Sequence, residues 1–203
     1  MPLLAPEPNV FPATLLQSPQ SPVQPVEVED DRRWWVLHSR PRAEKGLART
    51  AFEHSIPFFL PTYMRRWQNA GRTFTSHLPL FPGYFFLRGD EQEREVLLET
   101  RFVAHCLAVI DQDRLHADLA RLYDLTTRGV ALTPEDRFVP GTRITITSGP
   151  MRGMEGKVLR VGKKLRLVVE VEFLKRGVSV EIEQWMAAAL PEDSKELKIL
   201  TPV

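Results

Sequence analysis

Leu78-Pro79-Leu80-Phe81-Pro82-Gly83-Tyr84-Phe85-Phe86-Leu87 is the densest apolar run in the chain, and it is broken in the middle by Pro82 and Gly83. It reads as a strand from Leu78 to Leu87. The Pro-Gly interruption frees Phe81 and Tyr84 from simple strand alternation, so that one or both can point out of a sheet. Upstream, Phe58 to Met64 reads as a second strand. Between the two lies a polar stretch, Arg65 to Ser76, with Asn69-Ala70-Gly71 at its centre, which predicts a hairpin arm.

Working outward, Arg33 to Ser39 (RWWVLHS) has the Trp and Val content of a strand. Pro41 then suits a first helical turn. Ala43, Leu47, Ala48, Ala51 and Phe52 form the apolar face of the helix that follows, and Ile56-Pro57 ends it. Beyond the central run, Asp90 to Arg101 is helical in pattern, Phe102 to Ile110 strand-like, and Asp113 to Thr127 helical again. The order β-α-β-β-α-β-α is the split βαβ arrangement of a ferredoxin-like layer of helices on an antiparallel sheet.

Periodicity fades from Gly129 to Val139, where Pro134, Glu135, Asp136 and Pro140 mark a linker. Past it, Thr142 to Ser148, Gly156 to Val161, Leu165 to Phe173 and Val178 to Ile182 are short strand-like segments. Ser148-Gly149-Pro150, Gly162-Lys163-Lys164 and Lys175-Arg176-Gly177 separate them as turns. This spacing predicts a small SH3-like β-barrel. The fold class is therefore α+β. The expected division is an arm over 1–31, a first domain over 32–129, a linker over 130–139, a barrel over 140–190 and a tail over 191–203.

Residues 1–31 hold five acidic residues, seven of the seventeen prolines and no Lys or Arg, a composition expected to stay disordered. Without those five acids the remaining chain sets 27 basic against 21 acidic residues, so the +1 of the whole conceals a mildly basic body. That suits a nucleic-acid neighbourhood without the charge density of a protein living on phosphate contacts. The single cysteine, Cys106, can form no intramolecular disulfide. With no basic segment ahead of a long apolar stretch, the expected location is the cytoplasm.

Catalytic signatures are missing. The histidines at 38, 54, 77, 105 and 116 have no metal-binding spacing, and no phosphate-cradling glycine loop or nucleophile elbow occurs. His105 and Cys106 are adjacent on a strand and face opposite sides, so they make no nucleophile pair. The expectation is a protein that is not an enzyme, with no cofactor and no metal, and monomeric.

Two separated segments carry a resemblance. Trp34-Trp35-Val36-Leu37, Phe59-Leu60-Pro61-Thr62-Tyr63 and Leu80-Phe81-Pro82-Gly83-Tyr84-Phe85-Phe86 resemble the N-terminal (NGN) domain of the NusG family of transcription factors. Ser148-Gly149-Pro150-Met151-Arg152-Gly153-Met154-Glu155-Gly156-Lys157-Val158 looks like the KOW motif that ends such proteins. The resemblance implies an elongation or antitermination factor, with the clamp helices of the largest RNA polymerase subunit docked on Phe59, Tyr63, Phe81, Pro82, Gly83 and Tyr84. It places Arg40, Arg42 and Lys45 near upstream DNA. The hairpin residues Arg65, Arg66, Trp67 and Arg72 mix cations with an aromatic, which suits stacking on a displaced single strand.

In the KOW segment Gly149, Pro150, Gly153 and Gly156 shape the loop, the glycines allowing positive φ or close backbone approach. Phe173, Leu174 and Arg176 fall where the family's barrel binds a small-subunit ribosomal protein or, in housekeeping members, the termination factor Rho. Leu174 departs from the aromatic usual there in one branch. That departure, the acidic arm and the tail favour a specialised paralogue over the housekeeping factor. The helix at Glu91-Gln92-Glu93-Arg94-Glu95, where some paralogues touch the second large polymerase subunit, reads as solvent-facing. The competing reading is a KOW-type RNA- or ribosome-binding protein whose aromatic run is simply buried.

Overall fold

The computed structural model describes residues 8–17, 31–69, 71–135, 141–161, 164–182 and 187–189. The chain forms two compact units, 1–120 and 121–203, and the division falls within a helix.

The first unit is built on a five-stranded antiparallel sheet. Its strands are β1 (Val10–Phe11), β2 (Arg33–Ser39), β3 (Phe58–Phe59), β6 (Tyr84–Gly89) and β7 (Val103–Ala108), in the order β1-β3-β6-β2-β7. Helix α1 (Glu44–Glu53) links β2 to β3, and α2 (Glu91–Leu98) links β6 to β7. Strand β6 lies between β2 and β3, so the expected split βαβ order is present. A separate two-stranded ladder, β4 (Thr62–Asn69) with β5 (Arg72–Pro79), forms the hairpin arm. Helix α3 (Gln112–Thr127) follows β7.

Strand alternation gives the sheet two faces. On one, Trp35, Leu37, Phe58, Phe85 and Leu87 pack with Leu47, Ala48 and Ala51 of α1 and Leu97 of α2 in a continuous core. Arg33 and Arg94 lie 4.1 and 4.5 Å from the Trp35 ring, and the Trp35 indole N–H donates to the Gly89 carbonyl at 3.0 Å. These contacts seal the core rim with cations that keep their heads near water. Asp90 caps α2 in a reciprocal box with Glu93, which also pairs with Arg32 at 2.6 Å.

Four expectations change. The arm is ordered in part: β1 pairs with β3, Leu16 is buried, and Phe11 meets Phe52 edge-on at 5.3 Å, because the apolar Val10 and Phe11 find an open sheet edge. Residues 1–7 and 18–30 of that arm lie outside the described residues. Helix α1 starts at Glu44 rather than Pro41. Pro41 instead sits second in a turn closed by Ala43 N–H to the Arg40 carbonyl at 3.1 Å, with Arg42 in the left-handed region at φ 63°. The run Leu78 to Leu87 is two strands, since the ladder of β5 ends at Pro79 and β6 begins only at Tyr84. In the expected linker, β8 (Thr133–Glu135) adds to the second unit's sheet by pairing with Gly177–Ser179.

The second unit holds a six-stranded antiparallel sheet, in the order β13-β9-β10-β11-β12-β8. The further strands are β9 (Thr142–Ile146), β10 (Glu155–Val161), β11 (Lys164–Val171), β12 (Arg176–Ile182) and β13 (Ala187–Ala189). Ile144, Ile146, Val158, Leu167, Val169 and Val171 are among its buried residues. The tail 191–203 lies outside the described residues.

Candidate functional site

The turn Phe81-Pro82-Gly83-Tyr84 brings an exposed proline to the surface of the first unit. Tyr84 N–H donates to the Phe81 carbonyl at 3.1 Å, and Gly83 takes φ 84°, with Pro82 second and Gly83 third. That is a type II turn, which needs a positive φ at its third position. An added Cβ at Gly83 would also crowd the imidazole, standing 3.3 Å from His38 Nε2. Both polar groups of Gly83 are held: its N–H donates to Glu44 Oε1 at 2.8 Å and its carbonyl accepts from Ser39 N–H at 2.8 Å. Leu80 N–H donates to the Pro61 carbonyl at 2.8 Å, fixing the approach to the turn.

From the turn, β6 enters the second face of the sheet. Register places Phe59, Phe86, Val36 and Leu107 across one rung and Tyr84, His38 and His105 across the next. The first rung is buried except at Leu107; the second grades outward, from half-buried Tyr84 and His38 to exposed His105. Tyr84 meets His38 edge-on at 5.3 Å, and His38 stacks with His105 at 6.2 Å. The result is an aromatic strip beside an exposed proline.

This geometry sorts the expected docking residues. Pro82 is exposed, while Tyr84, Gly83 and Tyr63 are partly exposed. Phe59 and Phe81 are not surface residues: Phe81 is 2% exposed and meets Phe86 edge-on at 6.5 Å, and Phe59 lies fully inside. Burying two phenyl rings outweighs presenting them, so Phe59 and Phe81 support the strip from beneath. His38, His105 and Leu107 were not among the expected residues. Their only sequence signal is cross-strand pairing, which requires the register.

The hairpin separates its side chains by the same rule. Direct pairs Tyr63↔Leu78, Arg65↔Ser76, Trp67↔Phe74 and Asn69↔Arg72 place Arg65, Trp67, Phe74 and Arg72 on one face, with Arg66 opposite Thr75 on the other. Trp67 and Phe74 stack at 5.6 Å with an interplanar angle of 19°, yet remain 42% and 41% exposed. Thr62 to Pro79 contains three arginines and no acid. Phe74 was missed although Trp67 was expected; a hairpin closed at residues 69 and 72 necessarily pairs 67 with 74. Arg40 and Arg42 are exposed and Lys45 half-buried, all beside the start of α1.

In the second unit the loop from Ser148 to Gly156 folds tightly. Gly149 and Gly153 take φ 79° and 82°, Gly153 N–H donates to the Ile146 carbonyl at 2.8 Å, and Pro150 is exposed. Met151 and Met154 fill the space beneath. Gly156 has ordinary φ, but a Cβ there would stand 2.4 Å from the Val168 carbonyl oxygen. Close strand approach is its requirement. The expected partner tip changes: Glu172–Leu174 forms a short 3-10 turn, Leu174 is only 9% exposed, and Lys175 turns the chain at φ 53°. Leu174 is thus a core anchor of that turn, leaving half-buried Phe173 and Arg176 at the surface.

Among the described residues no cluster of three or more His, Cys, Asp or Glu could hold a metal ion, and no helix is long and apolar enough to cross a membrane. Burial raises the Cys106 thiol above its ordinary pKa, the nearby Arg94 opposing this. Such a thiol is a poor nucleophile.

Residues 32–117 match the family model described as "Transcription termination factor nusG". No curated protein matches the chain. A solved structure described as "Domain interaction in Thermotoga maritima NusG" is similar at 15% identity, covering 78% of this chain and 97% of that one, with a TM-score of 0.45. Another, "Crystal Structure of MjSpt4:Spt5 complex conformation B", is similar at 15% identity, covering 77% of this chain and 96% of that one, with a TM-score of 0.25.

Proposed function

We propose, from the premise that residues 32–117 form a NusG-family domain, that this chain is a transcription elongation and antitermination factor that rides on RNA polymerase. The carrying observation is the pinned turn at Pro82-Gly83 opening onto the Tyr84–His38 strip. An apolar, aromatic strip with one wet edge suits a helical partner, whose side chains can lie along it. In this reading the clamp helices of the largest polymerase subunit lie against Pro82 and Tyr84, with Tyr63 at the margin. Phe59 and Phe81 act only by supporting them.

The cations fit the same placement. Arg40 and Arg42 lie on the chain leaving β2 and Lys45 in the first turn of α1, and the Arg65-Trp67-Phe74-Arg72 face of the hairpin joins two guanidinium groups to an exposed ring pair. Rings of this kind stack on bases and arginines beside them meet phosphates, so the hairpin is read as facing upstream or non-template DNA. The six-stranded second unit is taken as the KOW module, an SH3-like barrel that recruits a second partner near Phe173 and Arg176. A small-subunit ribosomal protein or Rho is the chemistry-compatible candidate. Nothing in this reading requires catalysis or a cofactor.

The decisive measurement is affinity of the full chain for core RNA polymerase by fluorescence anisotropy. Binding that survives 0.3 M salt supports the docking strip. Absence of polymerase binding, with salt-steep binding to RNA instead, returns the protein to the RNA- or ribosome-binding class. Sequencing nascent RNA recovered with the tagged protein separates a one-operon specialist, which the acidic arm favours, from a general factor.

A further inference from the structure

Among the described residues of the first unit, the buried polar or charged ones are Ser39, Glu44 and Asp118. Two of the three converge on one residue: the Ser39 backbone N–H donates to the Gly83 carbonyl, and the Glu44 carboxylate accepts from the Gly83 N–H. Glu44 is 6% exposed and makes no ion pair among the described residues. A carboxylate that gives up water for a single hydrogen bond is a costly way to hold a loop. Its place in the first turn of α1 offsets part of that cost, since the helix dipole is positive there.

The turn does not need this bond to form. Proline second and glycine third already select type II geometry, and the Tyr84 N–H to Phe81 carbonyl bond closes it. Pro82 at its apex is exposed and adds nothing to the core. What the Glu44 bond adds is direction. It ties the exposed turn to the rigid start of α1, so that Pro82 and Tyr84 are oriented before any partner arrives, and that lowers the ordering cost of binding.

We infer that Glu44 is the positioning residue of the docking turn, acting through the Gly83 amide and touching no partner itself. The inference rests on the reading of that turn as the polymerase contact. Its test uses the full chain with Glu44→Ala, Glu44→Gln and Glu44→Asp, followed by amide hydrogen exchange at Gly83 and by affinity for core RNA polymerase, both measured well below each melting temperature. Glu44→Ala is expected to speed Gly83 exchange and to weaken polymerase binding, each about tenfold, the size of one lost charge-assisted hydrogen bond. Glu44→Gln keeps an acceptor oxygen and should restore most of both. Glu44→Asp, one methylene short, should behave like the alanine variant and serves in its place if that variant does not fold.

Wild-type affinity in Glu44→Ala or Glu44→Asp, or a Glu44→Gln variant as weak as Glu44→Ala, overturns the role of Glu44 while leaving the docking strip standing. Failure of the unaltered chain to bind polymerase overturns the docking strip and this inference together.

Discussion

The first unit shows two aromatic features to solvent, and they are held in opposite ways. The Phe81–Tyr84 turn is fixed from outside itself, by Glu44, Ser39 and Pro61 and by the phenyl rings beneath. The hairpin Thr62–Pro79 is held along its length by its own ladder and by the Trp67–Phe74 stack. Isolated two-stranded ladders are marginal in water, and a cross-strand aromatic pair adds only about 0.2–1 kcal/mol. The turn therefore suits a partner that demands one geometry. The hairpin suits a partner that tolerates many, as a single strand of bases does.

The sharpest way to break this contrast is at its base. Phe81→Ala should lower the unfolding free energy in urea by about 3–5 kcal/mol, the usual cost of emptying a phenyl site in a core. A loss under about 1 kcal/mol would return Phe81 to the surface and undo the division between supporting and presenting rings. Next in size, Tyr84→Ala should cost about 2 kcal/mol or more in polymerase binding while barely moving the urea midpoint. Unchanged affinity would remove Tyr84 from the strip.

On the hairpin, Trp67→Ala should weaken binding of a single-stranded oligonucleotide by about 1–3 kcal/mol, and Phe74→Ala should do likewise. Arg66→Ala, on the opposite face, should matter less than Arg65→Ala in the same titration. Equal losses at 65 and 66 would mean that charge alone binds and that the ring face has no special role.

The smallest effect concerns pH. Burial lowers the His116 pKa below its usual 6.5, and the neighbouring Arg88 pushes the same way. The folded state thus takes up the proton less readily than the unfolded chain. Stability from this group is complete above about pH 6.5 and falls as pH drops below it toward the depressed folded value. His116→Gln should flatten that part of the stability profile; an identical slope in the variant would assign it to other groups. His116 lies 5.9 Å from the Trp34 ring, so the experiment reads the cover over the sheet's second face, separate from the turn.

Much of this was legible without coordinates. The strand at Arg33 to Ser39, the helical patterns, the hairpin and the glycine-bearing loop from Ser148 to Gly156 follow from periodicity and turn chemistry, which are local properties of the chain. The boundaries that moved did so for tertiary reasons. Pro41 fits a helix start and a type II turn equally well, and the left-handed Arg42 decides for the turn. Val10 and Phe11 are too few to predict order, and become a strand because β3 offers an open edge.

What the sequence by itself determined was the principal strands and helices of the first unit and the two segments that carry the family resemblance, because spacing and residue type act over a few positions; β1, β8 and β13 came only with the structure. Which aromatics reach the surface was decided only by the tertiary structure. Phe81 and Tyr84 are three residues apart, yet one seals the core and the other lines the surface. That outcome depends on strand register, on the sense of the Pro82-Gly83 turn, and on a carboxylate thirty-nine residues away that holds it. Such long-range pairings leave no local trace in composition or periodicity.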